Sequence, residues 1–470
     1  MIPDVLATRY SSKQMTEIWS QTNKIILERS LWIAVMKAQK ELGLDISDAH
    51  IADYEKVKSS VDLDSIRKRE EKTMHDVKAR IEEFNHLAGH EDIHKGMTSR
   101  DLTENIEQLQ IKLSLQLIQN KIVATLARLA NLATQYSDLA ITGRSHNVAA
   151  QTTTLGKRFA SSAEELIFAF NKLNSLIKTY PLRGIKGPVG TSQDMLELFN
   201  GDENKVQSLE KIIAKHLGFD DVLISVGQIY PRSLDYEVLS TLFLLSASPS
   251  SLATTIRLMA GNDLVTEGFK DGQVGSSAMP HKMNTRSCER INGLNVVLRG
   301  YVSMTAELSG VQWNEGDVFC SVVRRVALPG GFFALDGLLE TTLHVLDDFG
   351  VFKGAIKAEI EKYLPFLATT KILMNVIKNG VGREVAHEAI KKHAIAAALN
   401  MREGKSQDLI KRLANEKVLA MSEKELTDLI TEPLSFTGNA QLQVKNIVEQ
   451  VSKIVKEFPQ AASYQPAAMI

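Results

Sequence analysis

Cysteine is nearly absent from this chain. Cys288 and Cys320 are the only two in 470 residues, too few for a disulfide framework or a thiolate metal cluster, which points to a reducing compartment. An excess of charge is missing as well. Fifty-five Lys and Arg stand against 56 Asp and Glu, a net charge of −1, so nothing in the overall field draws the chain to nucleic acid or an anionic membrane. No window has the uninterrupted apolar length of a membrane span. The opening MIPDVLATRY lacks the basic region and apolar run of a secretory signal. Cytoplasm is the expected compartment. Strand-like alternation is scarce, arguing against a doubly wound sheet, and no complete phosphate-loop or dinucleotide glycine pattern occurs.

What remains is helix. Residues 97–142 contain neither Gly nor Pro, and apolar residues recur at three- and four-residue steps through Ile106, Leu109, Leu113, Leu117, Leu126, Leu129 and Leu132. A helix of roughly 40 residues would be about 60 Å long. One layer cannot bury such a stripe, so the pattern predicts a bundle extended by subunit association. Lys157 to Tyr180 and Arg232 to Leu258, the latter interrupted by Pro249, are further helix candidates. The expected division is an N-terminal helical unit over 1–95, a central long-helix unit over 96–349, and a C-terminal helical unit over 350–470. The ending PQAASYQPAAMI reads as a loose tail.

The stretch DGQVGSSAMPHKMN at 271–284 is the densest in chemistry. Glycines loosen the backbone, hydroxyls follow, and Lys282 comes six residues after Ser276. Such a loop can bring a serine oxygen and a fixed cation to one carboxylate; it reads equally as an exposed polar turn. His146 lies where the long helix is expected to end at Gly143, available for proton transfer near neutral pH or for capping. His75 and Asp76 fall inside an amphipathic helical stretch. Thr98 and Ser99, at the start of the long helix, suit either an anion or an ordinary N-cap. His86, His90 and His94 are spaced by four, but Gly89 breaks the helix that would align them, so no metal site is read there. Arg324 and Arg325 suit either a phosphate or a helix–helix ion pair.

GSSAMPHKMN at 275–284 resembles the signature loop of the fumarase/aspartase superfamily. Further segments in the same order resemble its adenylosuccinate lyase family: TRY at 8–10, HDV at 75–77, TSRD at 98–101, GRSHNVAAQTTTLGKR at 143–158, GQIYPR at 227–232 and WNEGDVFCSVVRR at 313–325. The resemblance implies an all-α, three-domain subunit with a long central helical bundle. It also implies a homotetramer whose active sites draw on three subunits, and a cofactor-free elimination of fumarate from succinyl-purine nucleotides.

Residue by residue, the resemblance implies Ser276 as general base and His146 as general acid. Lys282 and Asn284 would stabilise developing charge. His75, with Asp76, would lie near the phosphate and the acid, and Glu289 would orient the catalytic pair. Thr98, Ser99 and Ser145 would hold carboxylates. Arg9, Tyr10, Arg290, Ser321 and Arg325 would hold the nucleotide, and Gln228 the succinyl group or base. The chain departs from many relatives at Glu315-Gly316-Asp317, where they carry Glu-Arg-Asp; phosphate recognition then falls to another cation, with Arg325 the leading choice. Other superfamily lyases, a cycloisomerase and a non-catalytic homologue remain alternatives at this point.

Overall fold

The computed structural model describes residues 3–268, 279 and 281–467. Five long helices form its centre: α1 Ser99–Gln135, α2 Leu155–Thr179, α3 Ser233–Ala260, α4 Arg286–Leu308 and α5 Phe319–Asp347. Side-chain pairs fix their directions. Glu104 of α1 meets Arg232 just before α3, and Ser162 of α2 meets Ser248 of α3. Ser246 and Ser250 of α3 meet Asn295 and Asn292 of α4 in opposite order, and Arg128 of α1 meets Asp347 of α5. The Leu155 N–H at the start of α2 donates to the Leu139 carbonyl just past α1, while Asn174 near its end accepts from Gln119. Thus α1, α3 and α5 run one way, and α2 and α4 the other.

The long helix α1 starts where Thr98 and Asp101 close a capping box. It is buried on nearly every side, polar residues such as Glu104, Asn105, Gln108 and Lys121 included. It ends earlier than its composition suggests, at Gln135 rather than near Thr142. The segment beyond is rich in β-branched residues and pairs on itself: β1 Ala140–Ser145 lies antiparallel to β2 Val148–Thr154. His146 and Asn147 form the two-residue turn, with φ of 52° and 60°, the conformation that suits a hairpin's twist. A shorter pair joins β3 Val265–Thr266 to β4 Gly350–Val351. These hairpins are minor, and the fold is predominantly α-helical.

Two buried ionic clusters tie the bundle together. At the start of α1, Glu104 accepts from Arg232 Nη2 at 2.7 and 2.9 Å and from Arg100 at 3.2 Å. Arg324 donates to Glu107 at 2.6 Å and to Asp235 at 2.7 Å, and also meets the Tyr230 hydroxyl. Burial opposes ionisation of Glu107, but Arg324 and Lys24 outweigh it and hold the carboxyl well below the usual range. Halfway along α1, Lys121 reaches Asp336, Glu340 at 2.7 Å and Ser12 at 3.0 Å. Asp336 also accepts the Ser12 N–H at 2.6 Å. The N-terminal segment lies so close to α5 that a Cβ on Gly337 would be 2.8 Å from Tyr10.

The C-terminal tail is not loose through residue 467. Tyr464 donates its hydroxyl to Glu340 at 2.5 Å, and the Ala467 N–H donates to the same carboxylate at 2.7 Å. An aromatic hydroxyl and a backbone N–H complete a buried carboxylate, which PQAASYQPAAMI does not announce. A core of its own, including Ile372, Val376, Ala386, Leu409 and Leu426, lies between helix Lys353–Leu367 and helix Ala440–Glu457; the latter returns Val444, Ile447 and Val451 to the main core. Among the described residues, α3 is the one helix long and apolar enough to suit a membrane span. Its buried contacts from Asp235, Ser246 and Ser248 make it a core helix.

Arg324→Ala would strand Glu107 and Asp235 in the interior, a loss expected to cost about 3–5 kcal/mol. Arg325→Ala, at the exposed neighbouring position, should stay within about 0.5 kcal/mol. Urea unfolding of the two variants side by side measures the difference.

Candidate active site

The start of α1 is where the sequence motifs converge. Met74, with φ of 50°, ends helix Leu63–Thr73, and His75 caps the next helix, Asp76–Ala88. The expected single helical stretch is therefore broken at the histidine. His75 Nδ1 accepts the Lys78 N–H at 3.1 Å. In the neutral ring Nε2 then carries the proton, and it lies 3.4 Å from Ser99 Oγ. Asp76 pairs with Arg80 at 3.2 Å. Burial opposes its ionisation, yet Arg80 and the Val77 N–H hold its pKa below the ordinary value.

Thr98 donates its N–H to Asp101 Oδ2 at 2.8 Å, while Asp101 Oδ1 accepts from Arg183 at 2.6 Å, Lys186 N at 2.8 Å and Gly187 N at 3.0 Å. Arg183 continues to the Gly227 carbonyl at 3.0 Å. Next to it, the Gln228 N–H donates to the Glu315 carbonyl at 2.6 Å. Arg100 donates to Ser321 Oγ at 3.0 Å. His75, Asp76, Thr98, Ser99, Gln228 and Ser321 are thus gathered around one helix end.

Of the adjacent arginines, Arg324 is buried in the ionic cluster and Arg325 is exposed. Gly316 has φ of 127°, and a Cβ there would lie 2.8 Å from Ile229 Cγ1. An arginine cannot replace it in this loop without moving the chain.

A second group surrounds the start of α4. The Arg290 guanidinium lies 5.5 Å from the Tyr10 ring centroid, a cation–π distance. Glu267 holds the helix start by accepting the Ser287 and Cys288 N–H groups, both at 2.8 Å. Glu289, Lys282 and Arg9 are exposed, and Asn284 is half-buried. Ser276 lies outside the described residues.

The third group is the hairpin tip, with Ser145 and His146 exposed. It cannot join the first group within one chain. Ser99 and Gln135 are about 54 Å apart along α1. The residues from Gln135 to His146, even stretched straight back, span at most about 40 Å. A gap of roughly 14 Å remains by that reach, several times a hydrogen bond.

Asp101, Arg100 and Arg183 act here although they were not singled out from sequence. The Thr-x-x-Asp spacing of a capping box was the available signal for Asp101; nothing local marks Arg183 or Glu267. The histidines spaced by four diverge. His90 stacks on His50 at 3.7 Å and pairs with Asp53 at 2.8 Å, while His94 accepts the Trp32 indole N–H at 3.0 Å. Among the described residues no cluster of His, Cys, Asp and Glu could hold a metal ion.

Comparison with known proteins is consistent across the chain. A family profile described as lyase matches residues 4–300, and one described as the adenylosuccinate lyase C-terminus matches residues 365–447. The chain is 35% identical over 452 residues to adenylosuccinate lyase of Saccharomyces cerevisiae, covering 95% of this chain and 93% of that one. It is 34% identical to the enzyme of Schizosaccharomyces pombe, over 96% and 95% of the two chains. In three dimensions it resembles a 3-carboxy-cis,cis-muconate lactonizing enzyme from Pseudomonas putida, with TM-score 0.82, 18% identity and coverage of 96% and 100%. A fumarate lyase from Mesorhizobium sp. BNC1 gives TM-score 0.80 at 20% identity, over 94% and 98%. At such identities these structures speak to fold alone.

His94 sits in the turn that leads to Thr98, and burial pushes its pKa down to about 4. The unfolded chain takes up this proton near pH 6.5, while the folded chain refuses it until about 4. Stability present above that window is lost as pH falls through it, by roughly 3 kcal/mol at most. His94→Gln, which keeps an acceptor for Trp32, should flatten the acid side of a stability profile measured by urea midpoints between pH 6.5 and 4.

Proposed function

This chain belongs to the adenylosuccinate lyase family of the fumarase/aspartase superfamily, and on that basis we propose how its residues divide the chemistry. It is a C–N lyase of purine biosynthesis, eliminating fumarate from succinyl-AMP to leave AMP and from succinyl-aminoimidazole-carboxamide ribotide. The observation that carries this reading is identity of 35% along nearly the whole length, against 18% for the muconate lactonizing enzyme of the same fold.

In the proposed elimination, Ser276 takes the proton from the carbon beside a succinyl carboxylate. The electron pair left behind first spreads onto that carboxylate, where Lys282 and Asn284 meet the added charge. It then forms the fumarate double bond as the C–N bond breaks. His146 delivers a proton to the departing purine nitrogen. A neutral serine is a weak base, so a closed, dry loop is part of the proposal.

Thr98, Ser99 and Ser145 hold carboxylates, and His75 stands between phosphate and acid. The exposed Arg325, with Arg9, Tyr10, Arg290 and Ser321, holds the nucleotide, and Gln228 contacts the succinyl group or base. Glu289 orients the catalytic pair.

We further take the enzyme to be a homotetramer with shared sites. The roughly 14 Å gap between Ser99 and His146 by chain reach supports this, as do apolar residues left open on α4 and α5: Val296, 63% exposed, and Val322, 72% exposed. Buried, unpaired Cys288 and Cys320 suit the cytoplasm.

Ser276→Ala and His146→Gln should each lower turnover of succinyl-AMP by at least about 10³-fold with sedimentation as a tetramer unchanged. Mixing the two inactive variants and allowing subunits to exchange should restore part of the activity, because some mixed sites carry both native residues. Normal turnover by Ser276→Ala removes the assigned base, and an active monomer removes the shared site.

Arg325→Ala should weaken AMP far more than fumarate in inhibition assays. Equal weakening of both ligands would assign it a structural role.

A further inference from the structure

The hairpin tip is held by a contact from the C-terminal part of the chain. Arg144 directly precedes the Ser145-His146-Asn147 turn, and its Nη2 is ion-paired with Glu359 of helix Lys353–Leu367. Its Nη1 donates to the Asn147 carbonyl at 3.3 Å, across the turn from its own strand. The guanidinium lies 5.7 Å from the Tyr363 ring centroid, one helical turn beyond Glu359. Glu359 is only 11% exposed and Arg144 23%, so water screens the pair weakly. A bulge separates Gly143 from Arg144 in the β1–β2 register, and such a bulge re-aims the side chain that follows it.

We propose that Glu359, acting through Arg144, is a positioning residue for His146. Both central residues of the turn have positive φ, a conformation that histidine and asparagine adopt at some cost and that an isolated two-stranded hairpin holds poorly. The fork of Arg144 closes the turn from one side through the Asn147 carbonyl, and Glu359 fixes the fork. Proton delivery falls steeply when a donor drifts by about 1 Å, so the carboxylate governs turnover without touching substrate. Helix Lys353–Leu367 follows directly on β4, which pairs with β3.

The inference rests on His146 as the acid, and the experiment separates the two. Glu359→Gln keeps shape and removes charge. In the full-length enzyme it is expected to lower kcat on succinyl-AMP at least tenfold, leave KM within twofold, and leave melting temperature and sedimentation unchanged. Glu359→Asp should recover part of kcat, and the exchange Arg144→Glu with Glu359→Arg more than either single reversal. A kcat within twofold of the parent, or a loss that tracks disassembly, overturns the proposal. If Glu359→Gln behaves as expected while His146→Gln retains normal turnover, the acid assignment fails instead, because the brace then acts on another group.

Discussion

Glu104 sits in a space closed to water and takes charge from Arg232 and Arg100, with Arg324 3.6 Å away. Each of these arginines belongs to a segment that carries a proposed substrate contact. Arg100 follows Thr98 and Ser99, Arg232 ends the stretch holding Gln228, and Arg324 lies between Ser321 and Arg325. None of those segments has reason to meet the others by hydrophobic burial alone, since their outer residues are polar. A buried carboxylate that must be paired forces the meeting. The geometry of the α1 end thus follows from an electrostatic requirement, and the polar residues facing outward are placed by those facing inward.

The same logic explains where sequence reading succeeded and where it stopped. Motif order identified the segments at the α1 end, and apolar recurrence identified the long helices, because both are local properties. Which of two adjacent arginines turns inward is not local. Arg324 is chosen by Glu107 and Asp235, which lie 217 and 89 residues away in sequence. The end of α1 is hidden from local reading for a related reason. Nothing between 136 and 142 forbids helix, but the chain gains a hairpin with residues after 147, and that gain depends on a turn read only with both strands in view. The tail reads as loose in sequence because it is short and weakly apolar; its anchor is the hydrogen-bonding capacity of the Glu340 carboxylate.

Gly316 shows the converse, a departure visible in sequence whose consequence needed coordinates. With φ of 127° and Ile229 pressed against its open side, the residue is tied to a loop path, and that path lets the Glu315 carbonyl accept the Gln228 N–H. A side chain here would be strained by the backbone conformation and would press on Ile229, so the proposed site assigns the positive charge to Arg325 instead. Arg325, exposed one position after the buried Arg324, is on the same chain segment and stands on a rigid helix.

A helix of 37 residues also imposes a condition on catalysis. It separates the Thr98–Ser99 end from the His146 turn by more than any loop in this chain can recover. In the proposed tetramer the same length becomes useful. A twofold axis across the exposed face of α5, which runs parallel to α1, would set the two bundles antiparallel, so that the start of one α1 lies at the same end as the finish of the other. Carboxylate-holding hydroxyls and proton donor then meet without either having to bend toward its own chain. The cost is that each half of the site must be rigid by itself, because its counterpart belongs to another subunit and cannot correct it. The α1 end meets that demand through the Glu104 cluster. The hairpin tip has no such core, and the Glu359–Arg144 pair is the contact to which the proposal assigns its stiffening.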